Sequence, residues 1–248
     1  MNDIPSAMNL LTKSQSKFYV HSIRNDQIWH LQEKTSIASD PEPFKGFIVE
    51  KNKEIVAYFR MRENLTEREL VLTEITDVDQ LISQAVLKFF KEVGTQRGFD
   101  MFSAQISYQE PMTRFLTALG GVERFPAYAW QIRITDSTKI FQKLRPLFET
   151  RLALSMYCRL TEKLNFNFRQ FTIQLTINDG MITDIQRLET GEFSPIGLNP
   201  YVFTQLLLGY KSRHELETTC PDFRIVNSHR HLIDVLFPKL PSYIHSAY

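Results

Sequence analysis

Glu69-Leu70-Val71-Leu72-Thr73-Glu74-Ile75, running into Thr76-Asp77-Val78-Asp79-Gln80-Leu81, is the stretch on which the fold turns. Its first seven residues are rich in aliphatic and β-branched side chains and predict a strand. Asp77 is a good helix N-cap. Leu81, Ala85, Val86, Phe89, Phe90 and Val93 recur at helical spacing, so a helix is predicted from about Val78 to Gln96, with Gly98 ending it.

Working outward, Gly46–Glu50 and Ile55–Arg60 flank the polar turn Lys51-Asn52-Lys53-Glu54 and read as an antiparallel hairpin. Trp29–Lys34 reads as a short helix, and Asp40-Pro41-Glu42-Pro43 breaks the chain after it. Downstream, Met101–Ser107 is strand-like. Pro111 opens a helix with Phe115, Leu116 and Leu119 on its apolar side, Gly120-Gly121 stops it, and Ala127–Ile134 reads as a last strand. The result is a mixed α/β unit with a hairpin rather than a regular βαβ repeat.

A second unit starts near Asp136. Ile140, Leu144, Leu147, Phe148 and Leu152 give helical spacing over Ser137–Leu154, with Pro146 a kink or a restart. Leu164–Phe168, Phe171–Ile177 and Met181–Ile185 alternate apolar and polar residues, and Asn178-Asp179-Gly180 is a strong hairpin turn. Asn199-Pro200 opens a helix through Leu208. Ser212 and Glu215 have capping-box spacing, and Arg230–Phe237 is a final helix. These boundaries predict an N-terminal arm over 1–20, a first domain over 21–135 and a second over 136–248.

Composition narrows the function classes. The chain has 248 residues, 43% of them hydrophobic, and its 29 Lys and Arg against 28 Asp and Glu leave a net charge of +1. A nucleic-acid partner is not expected, because the basic excess such a partner requires is missing. No apolar run approaches the roughly 20 residues of a membrane span, and the N-terminus lacks the basic start and apolar block of a signal peptide. With two cysteines, Cys158 and Cys220, the expectation is a protein of the reducing cytoplasm. No metal site is expected: His229 and His231 lie two apart, where one helix face needs three or four, and neither His214, His245 nor a Cys-x-x-Cys pair completes a set.

The first unit resembles the GNAT acyltransferases. The hairpin, strand 69–75, long helix, strand 101–107 and helix 111–119 follow that superfamily's order, and Phe115-Leu116-Thr117-Ala118-Leu119-Gly120 is similar to its closing helix. The second unit resembles a sterol-carrier-protein-like α+β domain, with a helix, antiparallel strands joined by an Asp-Gly hairpin and a Leu206-Leu207-Leu208-Gly209 helix end. The two in this order are similar to the enhanced-intracellular-survival family of bacterial acetyltransferases. Phe237-Pro238 and the terminal aromatic Tyr248 add to the likeness. That family has three parts, one catalytic GNAT domain, a second GNAT-like domain without catalytic features and the sterol-carrier-like domain, and 248 residues leave room for two.

The resemblance implies transfer of an acetyl group from acetyl-CoA to a small amine, and it places the CoA diphosphate at the N-terminus of the long helix, around Thr73, Ile75, Val78 and Asp79. An anion there suits the helix dipole and free N–H groups. The segment nevertheless has no glycine and no arginine, and Asp77 and Asp79 stand where a diphosphate belongs. Leu116 occupies the position of the family's general-acid tyrosine. Tyr108 is the nearest tyrosine, and the terminal carboxylate of Tyr248 is the group the family uses as a base. The expected activity is therefore weak or absent. The alternatives are a non-catalytic module for an apolar ligand or a protein partner, or the non-catalytic part of a split acetyltransferase. Phe166, Phe168, Phe171, Ile173, Leu175, Phe203, Leu206 and Leu207 either line an apolar tunnel or fill a core. The family's rings imply a homo-oligomer. Trp29 is expected as a core anchor, and Arg24, Lys51 and Lys53 as solvated surface charges.

Overall fold

The computed structural model describes residues 3–34, 45–124, 132–189 and 194–244. The chain divides into two compact units, Met1–Ala129 with Tyr243–Tyr248, and Trp130–Ser242.

The first unit holds α1 (Ile4–Gln15), α2 (Asp26–Lys34), β1 (Lys45–Lys51), β2 (Glu54–Asn64), β3 (Glu69–Ile75), α3 (Gln80–Arg97), β4 (Met101–Ala104) and α4 (Pro111–Ala118). Its sheet has the order β1-β2-β3-β4, antiparallel except for the parallel β3–β4 pair. A parallel pair needs a crossover, and α3 supplies it. All seven residues of β3 are buried, as expected of a strand covered on both faces. Along β2 the period of two divides the unit: Ala57, Phe59 and Met61 join the main core with Val86 and Phe90 of α3, while Tyr58 packs with Trp29 and α1 on the opposite face. Trp29 is thus the core anchor that its size suggests.

Three expectations need correction, and a fourth falls mainly outside the described residues. The 1–20 segment is no plain arm, since α1 forms there and packs on β2. Ile4, Ala7, Met8 and Leu11 have helical spacing, and Pro5 suits the first turn. The cap of α3 is Asp79 rather than Asp77: its side chain accepts the Ile82 N–H at 2.8 Å, and the helix starts at Gln80. Val78 is buried ahead of it, which leaves Asp77 for another contact. β4 stops at Ala104, three residues short, because only Glu69–Leu72 of β3 have partners on it. The strand expected over Ala127–Ile134 falls mainly on residues outside the described ones, and 132–134 form no strand.

The second unit contains α5 (Ser137–Ala153), β5 (Glu162–Asn167), β6 (Phe171–Asn178), β7 (Met181–Glu189), β8 (Ile196–Gly197), α6 (Pro200–Leu207), α7 (Arg213–Thr219), β9 (Arg224–Ile225) and α8 (Arg230–Leu236). Its sheet order is β7-β6-β5-β8-β9. The capping box at Ser212 and Glu215 is complete. Of the aromatic residues considered for a tunnel, Phe166, Phe168 and Phe203 are buried in the core and Phe171 packs at its edge. Phe166 and Phe203 are fully buried, and both lie against Phe141, with ring centroids 5.0 and 5.3 Å away. Phe168 meets Phe203 edge-on at 5.0 Å. Interiors pack to near-crystal density, and rings at these separations are in mutual contact.

The β6–β7 turn uses Asp179 at φ +49° and Gly180 at φ +77°, the left-handed pair that a two-residue hairpin needs. A Cβ on Gly180 would overlap the backbone carbonyl of Cys158. Gly180→Ala is expected to destabilise the second unit by about 2 kcal/mol or more, combining strained φ with a backbone clash. Urea unfolding measures it.

Candidate functional site: the gap between the ends of two parallel strands

β3 and β4 run side by side from Glu69–Met101 to Leu72–Ala104 and then part. β3 continues to Ile75 along β2, and just past β4 the Gln105 N–H donates to the Leu72 carbonyl at 2.8 Å. Beyond it the chain turns at Ser107, whose carbonyl accepts from the Glu110 N–H at 3.0 Å and the Thr113 hydroxyl at 2.7 Å, and α4 begins. The carboxyl ends of parallel strands are where open α/β sheets bind ligands. A crevice lies there. Glu74 and Ile75 line it from β3, Ile106, Ser107 and Glu110 from the β4–α4 connection, Leu11, Ser14 and Gln15 from α1, and Tyr243 closes it. Its free space is about 10 Å³, close to what one water needs.

Charge is concentrated at its mouth. Lys17 Nζ donates to Glu110 Oε2 at 2.8 Å and to Asp77 Oδ1. The Glu110 side chain is 7% exposed, and burial pushes its carboxyl up to about 7, against the pull of Lys17; the charge of Asp77 adds to the rise. Burial acts to lower the Lys17 ammonium, yet its bonds to Asp77 and Glu110 hold it above the ordinary lysine value.

At the N-terminus of α3 and just ahead of it, two backbone N–H groups have side-chain acceptors. The Asp79 carboxylate takes the Ile82 N–H, and Ser14 Oγ accepts the Asp77 N–H at 3.0 Å. Behind the crevice, Arg24 pairs with Glu74, both side chains 3% exposed, and the Arg24 guanidinium lies 4.3 Å from the Trp29 ring centroid. The surface role expected for Arg24 is therefore wrong. Its stem and charge are enclosed between α2 and the sheet, where an arginine holds a buried carboxylate and stacks on an aromatic ring at once. Lys51 and Lys53 are exposed at their turn, as expected.

Among the remaining sequence-selected residues, Thr73 is buried and donates its hydroxyl to the Arg60 carbonyl at 3.2 Å, beside the irregularity in the β2–β3 register. Ile75 lines the crevice, and Val78 and Asp79 lie just beyond the strand. Tyr108 is 77% exposed and its hydroxyl accepts from Gln109 Nε2 at 3.0 Å, away from the crevice lining. Leu116 packs against the main core of the first unit. Tyr248 lies outside the described residues. Lys17 and Glu110 went unnoticed in the sequence. A Glu-Pro pair opening a helix was the one local sign of Glu110, and nothing near Lys17 marks it.

No metal-binding group of His, Cys, Asp or Glu occurs among the described residues. His229 bridges Ser228 Oγ at 3.0 Å and Glu162 at 2.8 Å, while His231 faces the Tyr157 hydroxyl, so the two imidazoles have separate partners. No helix among the described residues is long and apolar enough to cross a membrane.

No protein-family profile matches the sequence, and no curated protein matches it. A solved structure does. It is a GCN5-related N-acetyltransferase from Anabaena variabilis, at a TM-score of 0.53 and 12% identity over 97% of this chain. The chain has a GNAT fold. It spans 59% of the length of that structure. In this fold, the strand pair that parts at Leu72 and Ala104 and the helix that follows it are the elements that order the crevice.

Lys17 is the group that draws the Glu110 carboxyl down, so Lys17→Met is expected to raise it further above about 7. A ¹³C carboxyl titration checks this, and an unmoved midpoint would contradict the pairing. The pH dependence of stability follows from the same shift. The folded-state value lies above the ordinary 4.5, so the stability tied to protonated Glu110 is complete below about pH 4.5 and is lost as pH rises through about 7. Glu110→Gln, which keeps an acceptor for Lys17, is expected to remove most of that loss, on the order of 2–3 kcal/mol between pH 5 and pH 8. Denaturant melts at the two pH values measure it.

Proposed function

We propose that this chain is a GNAT-fold module that serves acetyl transfer without a complete acetyl-CoA site of its own. One observation carries the reading: at and just ahead of the start of α3, where a diphosphate would bind, the Ile82 N–H is taken by the Asp79 carboxylate and the Asp77 N–H by Ser14. The two carboxylates there also repel an anion. The crevice leaves space for about one water, far from the volume of an acyl-pantetheine arm. Leu116, where the GNAT resemblance asks for an acid, has no proton to give.

On this reading the second unit is a sterol-carrier-like domain packed solid, and acetyl-CoA is handled by polypeptide outside these residues, joined to them or separate. The partial coverage of the Anabaena structure agrees with such a division. Calorimetric titration with acetyl-CoA is expected to give no saturable binding below about 1 mM. Micromolar affinity overturns the reading.

A second reading rests on Glu110. A carboxyl near 7 beside a strand-end crevice is matched to proton transfer at neutral pH, and with the crevice opened it suits a general base that deprotonates an amine. It requires acetyl-CoA consumption in the presence of a primary amine, lost in Glu110→Gln. Thiol release followed with a chromogenic disulfide separates the two readings.

A further inference from the structure

α1 is fastened to the first unit differently from its neighbours. Ala7 and Leu11 meet Trp29 and Tyr58 in a small apolar cluster of their own, with Ile4 and Met8 at its edge. None of these belongs to the larger core that β2, β3, α3 and α4 share. At the C-terminal end of α1 the attachment is polar. Ser14 takes the Asp77 N–H, and Lys17, two residues past the helix, reaches both Asp77 and Glu110. The following segment is held by Tyr243, whose N–H donates to the Val20 carbonyl at 2.8 Å and whose ring lies 5.6 Å from that of Phe18. Leu11, Ser14 and Gln15 form the α1 wall of the crevice.

The geometry points to α1 as a gate over the strand-end crevice, latched by Lys17 and able to lift from the sheet while the rest of the first unit stays folded. An element held by few buried apolar contacts opens at a lower free energy than the core it covers. The latch concentrates its attachment at two carboxylates, Asp77 ahead of α3 and Glu110 ahead of α4, so that neutralising one ammonium weakens both ties. Lifting α1 also releases the Asp77 N–H, and the crevice between the ends of β3 and β4 then lies open from that side.

Hydrogen exchange on the whole chain, read amide by amide by NMR, tests this. In the wild-type protein the slowest amides of α1 are expected to exchange at least tenfold faster than the slowest amides of α3. The Asp77 amide is expected to follow α1. Lys17→Met is expected to speed α1 and Asp77 by a further tenfold or so with α3 within twofold of wild type, and Lys17→Arg to restore the slow rates. The gate is overturned if α1 and α3 exchange at the same rate in the wild type, or if Lys17→Met accelerates α1 no more than α3. It is equally overturned if only the first turns of α1 fray while Asp77 stays protected. The wild-type comparison stands whether or not the variants fold.

Discussion

The first unit depends on β3 being covered on both faces of the sheet. Both sheet neighbours, α3 on one face and the α1–α2 layer on the other, keep all seven of its residues from water. Glu69 and Glu74 are carried inside with it. Burying a carboxylate is costly unless it is paired, and the fold answers with arginines from distant places: Arg24 reaches Glu74, and Arg124 approaches Glu69 at 3.5 Å. Because β3 pairs antiparallel on one side and parallel on the other, and the parallel partner is short, its last residues leave the sheet edge open on the β4 side. The crevice is a consequence of that mismatch in strand length.

Helix starts attract negative charge, and α3 and α4 of the first unit each have a carboxylate just ahead of them. They are used in different ways. Asp79 closes back on its own helix and acts as a cap. Glu110 makes no side-chain cap bond and turns to Lys17 instead. Its burial without a full set of local donors is the physical origin of its raised protonation range. The same two helix starts are thereby linked through one ammonium, which ties a segment remote in sequence to the end of the sheet.

The second unit shows how far pattern alone goes. Alternation in β5 to β7 and the Asn178-Asp179-Gly180 turn were read correctly, and the pairing joins Asn178 to Met181 as the turn requires. The short strands β8 and β9 were missed. Two-residue strands have no periodicity to read, and they exist because Ile196 and Ile225 are brought together at the edge of β5. A list of apolar residues could not decide between a tunnel and a core, since both need the same composition. Ring packing at about 5 Å places Phe141, Phe166, Phe168 and Phe203 in contact within the core.

Local chemistry fixed the strand at 69–75, the long helix after it, the stopping glycines and the order of elements that makes the GNAT likeness, because each rests on residues within a few positions of one another. It also marked the start of α3 as poor in glycine and rich in aspartate. The tertiary structure alone decided which aspartate caps, where β4 ends, that Arg24 is buried, and that Lys17 meets Asp77 and Glu110, 60 and 93 residues further along. These are contacts between elements. Their energy depends on burial and on partners that share no sequence window, so no run of residues could have announced them.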